Sequence, residues 1–197
     1  MTTVAQPIIK QTRPRERRWT LKEYYRLGEM GFFKDDRVEL LDGKICVMPA
    51  LNPPHVAAVD LSRVALERVF GPGYWVRTQA PLHVRDSAPE PDLSVVAGGP
   101  RDYPRHPTSA LLVMEVSDTT LVSDRWKGNL YAAGGLQDYW LLDIIHRRLE
   151  VRRSPGVDAS VRRFGHRYSA IFTYGPDQSV SPLAMPQASV RIADLLP

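Results

Sequence analysis

The chain has 197 residues, 43% of them hydrophobic and 24% charged, with a formal net charge of +4. Those figures suit one soluble globular domain of ordinary size, and no apolar run approaches the ~20 residues that a membrane span needs. A single cysteine, Cys46, excludes an intramolecular disulfide and a cysteine-built zinc site.

The charge is unevenly spread. Residues 1–18 carry Lys10, Arg13, Arg15, Arg17 and Arg18 against Glu16, while the remaining 21 basic and 21 acidic residues cancel. The sequence therefore reads as a basic N-terminal arm, 1–18, on a balanced domain, 19–197. Such an arm suits contact with a nucleic-acid backbone and equally suits a solvated tail. The first residues lack the apolar stretch and small-residue cleavage site of a secretory signal, so a cytoplasmic location is expected.

Thr20 followed by Glu23 is a capping box, which predicts a helix from about residue 20, limited by Gly28 and Gly31. Asp42-Gly43 lies between two β-rich runs, Arg37–Leu41 and Lys44–Met48, and predicts a tight hairpin. Cys46 within that second run reads as a small buried hydrophobe. Pro49, Pro53 and Pro54 break the strand. His55–Phe70 has helical apolar spacing and is closed by Gly71-Pro72-Gly73.

Trp75–Val84 reads as a strand whose Pro81 implies an edge or a bulge. Pro91–Val96 is a short apolar strand. Leu111–Val116 is apolar on both faces apart from Glu115, as in a strand buried on both sides. A helix follows over Asp124–Ala133, closed by Gly134-Gly135. Tyr139–Ile145 is a second buried strand, and Leu149–Arg152 alternates. Further strands are expected at 161–164 and 167–174, with a terminal helix or turn at 190–196. The order implies an α/β (α+β) fold, a mixed sheet flanked by helices.

Three carboxylates fall on or beside strands: Glu39, Asp92 and Glu115. A charge within a buried strand is costly unless it is paired or binds a metal. If the sheet places Asp92 beside Glu115, the pair needs a cation between them, and oxygen-only ligation suits Mg2+ or Mn2+. Asp124, Lys127 and Tyr131 share one face of the helix after the Glu115 strand. That helix can lean Lys127 over the strand end, or it can carry an ordinary Asp124–Lys127 surface pair. His55 fits a place near this site or a solvent-facing helix start. His83, His106, His146 and His166 lack metal-ligand spacing. Tyr139 and Trp140 suit core packing. The basic residues of 146–167 suit a phosphate-binding surface or a polar sheet face.

Four segments in chain order carry a further signal: Glu90-Pro91-Asp92-Leu93-Ser94-Val95-Val96, Val113-Met114-Glu115-Val116-Ser117, Asp124-x-x-Lys127-x-x-x-Tyr131 and Asp138-Tyr139-Trp140-Leu141-Leu142-Asp143. With Val38–Lys44 upstream, they resemble the Uma-two family of bacterial proteins, within the PD-(D/E)XK restriction-endonuclease-like superfamily. The resemblance implies a metal-dependent endonuclease acting on nucleic acid, with DNA the expected substrate. It implies that Asp92, Glu115 and the Val116 carbonyl hold Mg2+ or Mn2+, that Glu39 organises the site, and that Lys127 assists the chemistry. The superfamily's lysine two residues after the second acid would fall on Ser117, and Lys127 is expected to replace it. Gln79 resembles a recurring polar position. A homodimer is expected of a double-strand cutter, with apolar residues near Tyr139–Ile145 as candidate contacts. The alternatives are a catalytically silent nucleic-acid-binding domain and a protein-interaction module whose carboxylates are paired in the core.

Overall fold

The computed structural model describes residues 16–197, so most of the basic arm lies outside the described residues. Of its last residues, Arg17 pairs with Glu23, Arg18 with Asp42, and Glu16 with Lys44.

The first helix, α1 (Leu21–Glu29), is capped as its sequence implies: the Thr20 hydroxyl accepts from the Glu23 N–H and the Glu23 carboxylate accepts from the Thr20 N–H. Strands β1 (Val38–Leu41) and β2 (Lys44–Val47) form an antiparallel hairpin. Asp42 and Gly43 both have positive φ, 50° and 73°, which is the backbone a two-residue hairpin turn requires. Helix α2 (Pro53–Phe70) begins two residues before the expected point. Pro53 serves as a first-turn proline, with the Asn52 side chain accepting from the His55 N–H.

Six strands make the main sheet, in spatial order β3 (Tyr74–Thr78), β4 (Leu93–Ala97), β5 (Leu112–Ser117), β6 (Asp138–Asp143), β7 (Arg148–Val157) and β8 (His166–Tyr174). All neighbours are antiparallel except β5 and β6. Their parallel pairing needs a crossover, supplied by α3 (Leu121–Ala133). Two short strands, β9 (Ser179–Val180) and β10 (Val190–Arg191), precede a terminal 3-10 turn over Ile192–Leu195.

Each face of the sheet is covered. Leu112, Met114 and Val116 of β5 point to α2 and the C-terminal residues, in a core that includes Leu66, Phe70, Trp140 and Ile192. Val113 points the other way, to α3, beside Tyr139, Leu141, Leu130 and Tyr131. Period-two alternation therefore puts Glu115 on the α3 face. Every residue of β5 and β6 is buried, in keeping with their lack of polar alternation.

Three expectations are corrected. The strand from Trp75 ends at Thr78, because Gln79 adopts a positive φ of 44° and turns the chain away. The strand does form a sheet edge, as Pro81 implied. Residues 161–164 form no strand. They belong to the β7–β8 turn, where the Asp158 carboxylate accepts from the Ser160 N–H and Gly165 has a φ of 64°. Cys46 is only partly buried and lines an open cavity.

Candidate active site

The end of β5 and the start of β4 meet on the α3 face. Leu93 pairs with Met114, so continuing the antiparallel register sets Asp92 opposite Glu115. Backbone hydrogen bonds lock the two together. The Val116 N–H donates to Asp92 Oδ2 at 2.8 Å, and the Asp92 N–H donates to Glu115 Oε2 at 3.2 Å. Both side chains are buried, Asp92 at 7% and Glu115 at 3% exposure.

Lys127 reaches this pair from the second turn of α3. Its ammonium lies 2.8 Å from Glu115 Oε1 and 3.2 Å from Glu39 Oε2. Lys127 and Asp124 are both buried, so the surface-pair reading is excluded. Tyr131, one turn further, donates its hydroxyl to Glu115 Oε1 at 2.8 Å. Glu39 on β1 accepts from the Glu90 N–H at 3.2 Å, which ties the hairpin to the site. The structure thus gathers Glu39, Asp92, Glu115 and Lys127, from four separate stretches of chain, around one point.

Other residues join them. His55 Nε2 is 3.0 Å from Asp92 Oδ1, which places it inside the site rather than in solvent. The Gln79 amide donates to the same oxygen at 3.3 Å. Asp124 accepts from the Thr120 hydroxyl at 2.5 Å. The sequence signal for Asp124 and Tyr131 lay in their shared helix face with Lys127. His55 had only its position at the start of α2.

Burial pushes the Glu115 carboxyl up to about 8, and neighbouring Asp92 and Asp124 add to that against the opposing pull of Lys127. Burial alone would weaken the Lys127 ammonium, yet Glu115, Glu39 and Asp124 outweigh it and hold it charged. Asp124 is also raised by burial. The hydrogen bond to Asp92 raises His55.

These groups form the floor of a cavity of about 390 Å3. Five carboxylates line it, Glu39, Asp92, Asp118, Glu115 and Asp124, and Lys127 is its sole lysine or arginine. Such an excess of partly dehydrated negative charge favours a bound cation. Among the described residues no cluster of three or more His, Cys, Asp or Glu side chains converges as a ready metal cage. Mg2+ commonly takes one or two carboxylates and completes its octahedron with water and substrate oxygens. The donor set present, two adjoining carboxylates at an open cavity, fits such an ion.

Five arginines of the basic stretch 146–167 are engaged in ion pairs. Arg148 pairs with Asp143, Arg152 with Glu150, Arg153 with Asp138, Arg163 with Asp42 and Arg167 with Asp158. None of them lines the cavity. Tyr139–Leu142 are fully buried in this chain, so they are not a contact surface for a second copy, although Ile145 is exposed.

A solved structure from Anabaena variabilis ATCC 29413, described as a putative nuclease belonging to DUF820, superposes with a TM-score of 0.67 at 19% identity. The match covers 89% of this chain and 96% of that one, and at this identity it shows a shared fold. No curated protein matches the chain. The family Uma2, described as "Putative restriction endonuclease", matches residues 21–191. The chain belongs to the Uma2 family.

Proposed function

We propose that this chain is a divalent-metal-dependent endonuclease that hydrolyses phosphodiester bonds of nucleic acid, with DNA as its substrate. The observation that carries the reading is the buried Asp92–Glu115 pair, aligned by backbone hydrogen bonds at the floor of an acidic cavity. Asp92, Glu115 and the Val116 carbonyl would hold Mg2+ or Mn2+. That ion, when bound, supplies Lewis acidity toward the phosphodiester and acidifies a water.

The chain's own residues do the rest. Lys127 stays protonated among its carboxylates and stabilises the negative charge that develops on the phosphoryl group. Glu39 is a positioning residue: it accepts from Lys127 and anchors the hairpin through the Glu90 N–H. Tyr131 fixes one oxygen of Glu115 and so orients the other. His55 and Gln79 hold Asp92 Oδ1, as groups behind a metal-binding carboxylate commonly do.

The test is a Mg2+ and Mn2+ titration of wild type and Asp92→Ala, reading melting temperature and cleavage of plasmid and oligonucleotides. A ligand that binds the folded state alone raises the melting temperature. We expect metal-dependent stabilisation and cutting, both lost in the variant. A wild-type protein that neither gains stability nor cuts with either metal would overturn the proposal. Should the active form be a homodimer, its interface must use surfaces other than β6. Among the described residues no helix is long and apolar enough to cross a membrane.

A further inference from the structure

The cavity walls differ from its floor. Val47, Met48, Leu51 and Trp126 line it above the carboxylates. Val47 and Leu51 are exposed at 65% and 39%, as is Val122 at 81% in the shallow depression shared with Trp126. Grouped apolar side chains that remain open to solvent mark a binding surface. Trp126 is held from behind. Its ring lies 5.0 Å from that of Phe164, and the Arg163 guanidinium sits 4.8 Å from its centroid. Arg163 is itself fixed by Asp42 at 2.6 Å.

A duplex is gripped through arrays of lysine and arginine on its phosphates. This cavity offers one lysine, Lys127, and that lysine is already surrounded by Glu115 and Glu39. Its volume, about 390 Å3, falls in the range of a pocket for one small molecule, about 300–1,000 Å3. In a continuous duplex the bases are stacked and paired and cannot enter such a space. An unpaired nucleotide can, because its base presents an apolar π face that stacks on aromatic and apolar side chains.

Resting on the nuclease reading above, we infer that the apolar wall formed by Val47, Met48, Leu51 and Trp126 receives the base of an unpaired nucleotide. The substrate class is then single-stranded or locally unpaired nucleic acid, presented with its phosphate toward the carboxylate floor. Trp126 and Leu51 are substrate-binding residues, and the Phe164–Arg163 backing pre-organises the stack.

The experiment compares one labelled oligonucleotide sequence as single-stranded DNA, as single-stranded RNA and as blunt DNA duplex, with Mn2+ present. Binding is read by anisotropy and cleavage by gel, for wild type, Trp126→Ala, Trp126→Phe and Leu51→Ala. Wild type should cut single-stranded DNA about tenfold or more faster than the duplex; cutting of the RNA strand alone would keep the unpaired-nucleotide inference and overturn DNA as the substrate. Trp126→Ala should lose about tenfold in single-strand affinity, Trp126→Phe should retain most of it, and Leu51→Ala, at an exposed position, should lose a few-fold with an unchanged melting temperature. A duplex cut as fast as the single strands, or a preference unaltered in Trp126→Ala and Leu51→Ala, overturns the inference while metal-dependent cutting leaves the nuclease reading standing. No metal-dependent cutting of any substrate removes both.

Discussion

Replacing Lys127 with methionine isolates the ammonium from its stem. Methionine keeps the unbranched apolar length, so packing on α3 is largely preserved. What disappears is the positive charge 2.8 Å from Glu115 and 3.2 Å from Glu39, at a residue 6% exposed. Removing one partner of a buried ion pair costs about 3–5 kcal/mol, because the other is left uncompensated. Glu115 limits that cost: burial raises its carboxyl above the usual carboxylate range, so it accepts a proton more readily once the ammonium is gone. The lower bound, about 3 kcal/mol, is therefore expected, or roughly 6–12 °C in melting temperature for a domain of this size. The assay is thermal unfolding at neutral pH in chelator, followed by Mn2+ addition, which should recover part of the loss by replacing the missing charge. A variant melting within about 2 °C of wild type in chelator would refute the claim that Lys127 neutralises these carboxylates.

Three further outcomes follow from other parts of the fold. Asp138 is buried and accepts from the Trp140 indole at 3.0 Å, Arg153 Nε at 2.8 Å and the Leu183 N–H at 2.8 Å. Asp138→Ala should therefore cost about 3–5 kcal/mol in denaturant unfolding with metal-dependent stabilisation retained, and a loss under about 1 kcal/mol would contradict it. Gly128→Ala improves helix propensity by about 1 kcal/mol, but the new Cβ would lie 2.9 Å from Tyr139 Cε1. Tyr139 is fully buried and bonded to the Asp124 carbonyl, so a net loss of about 1–2 kcal/mol is expected, and a more stable variant would show that the ring can move. His83 and His106 are lowered by burial, with Arg77 adding to it. Their folded-state values lie below the unfolded ones, so their contribution is present above the usual histidine range and is lost as pH falls below about 6.5. Relative to wild type, His83→Gln should gain melting temperature between pH 7.5 and 5.5, because one group that resists protonation in the fold is gone, and identical pH profiles would count against it.

Local signals were legible in the sequence because they need only local geometry. Asp42-Gly43, Thr20 with Glu23, and the unalternating run around Glu115 each specify backbone or burial within a few residues. The site's composition was legible for the same reason: Glu115 is a charge in a run too apolar to leave it in water. What the chain order could not supply was tertiary. Whether Lys127 points to solvent or into the protein depends on which face of α3 meets the sheet, and that is fixed by Leu130 and Tyr131 packing beside Tyr139 and Leu141. His55 was unreadable because its partner Asp92 is 37 residues away. The turn at 161–164 misled because its pattern of apolar and basic residues matches a strand, while Asp158 and Gly165 on either side decide the backbone.

The placement of the lysine follows from the same packing. In the superfamily that this sequence resembles, the lysine stands two residues after the second acid, which here is Ser117. Residues 115 and 117 share a face of β5, so a lysine at 117 would start on the α3 side of the sheet. In this chain that position is filled: Ser117 is fully buried, its hydroxyl lies 3.4 Å from the Thr120 hydroxyl, and its carbonyl accepts from the Ile144 N–H. A long side chain there would have to displace the start of α3. Lys127 descends onto the same face from the helix above, with its ammonium 2.8 Å from Glu115. The two routes converge on one charge from one side of one strand. On the proposed reading, a lysine on α3 in place of one at 117 keeps the same charge beside Glu115 and makes it depend on how that helix docks. Ser117→Lys in a Lys127→Met background tests this directly. Because position 117 is closed by Thr120, the second change should not restore the melting temperature or metal-dependent cutting. Recovery of both would show that β5 alone can place the charge.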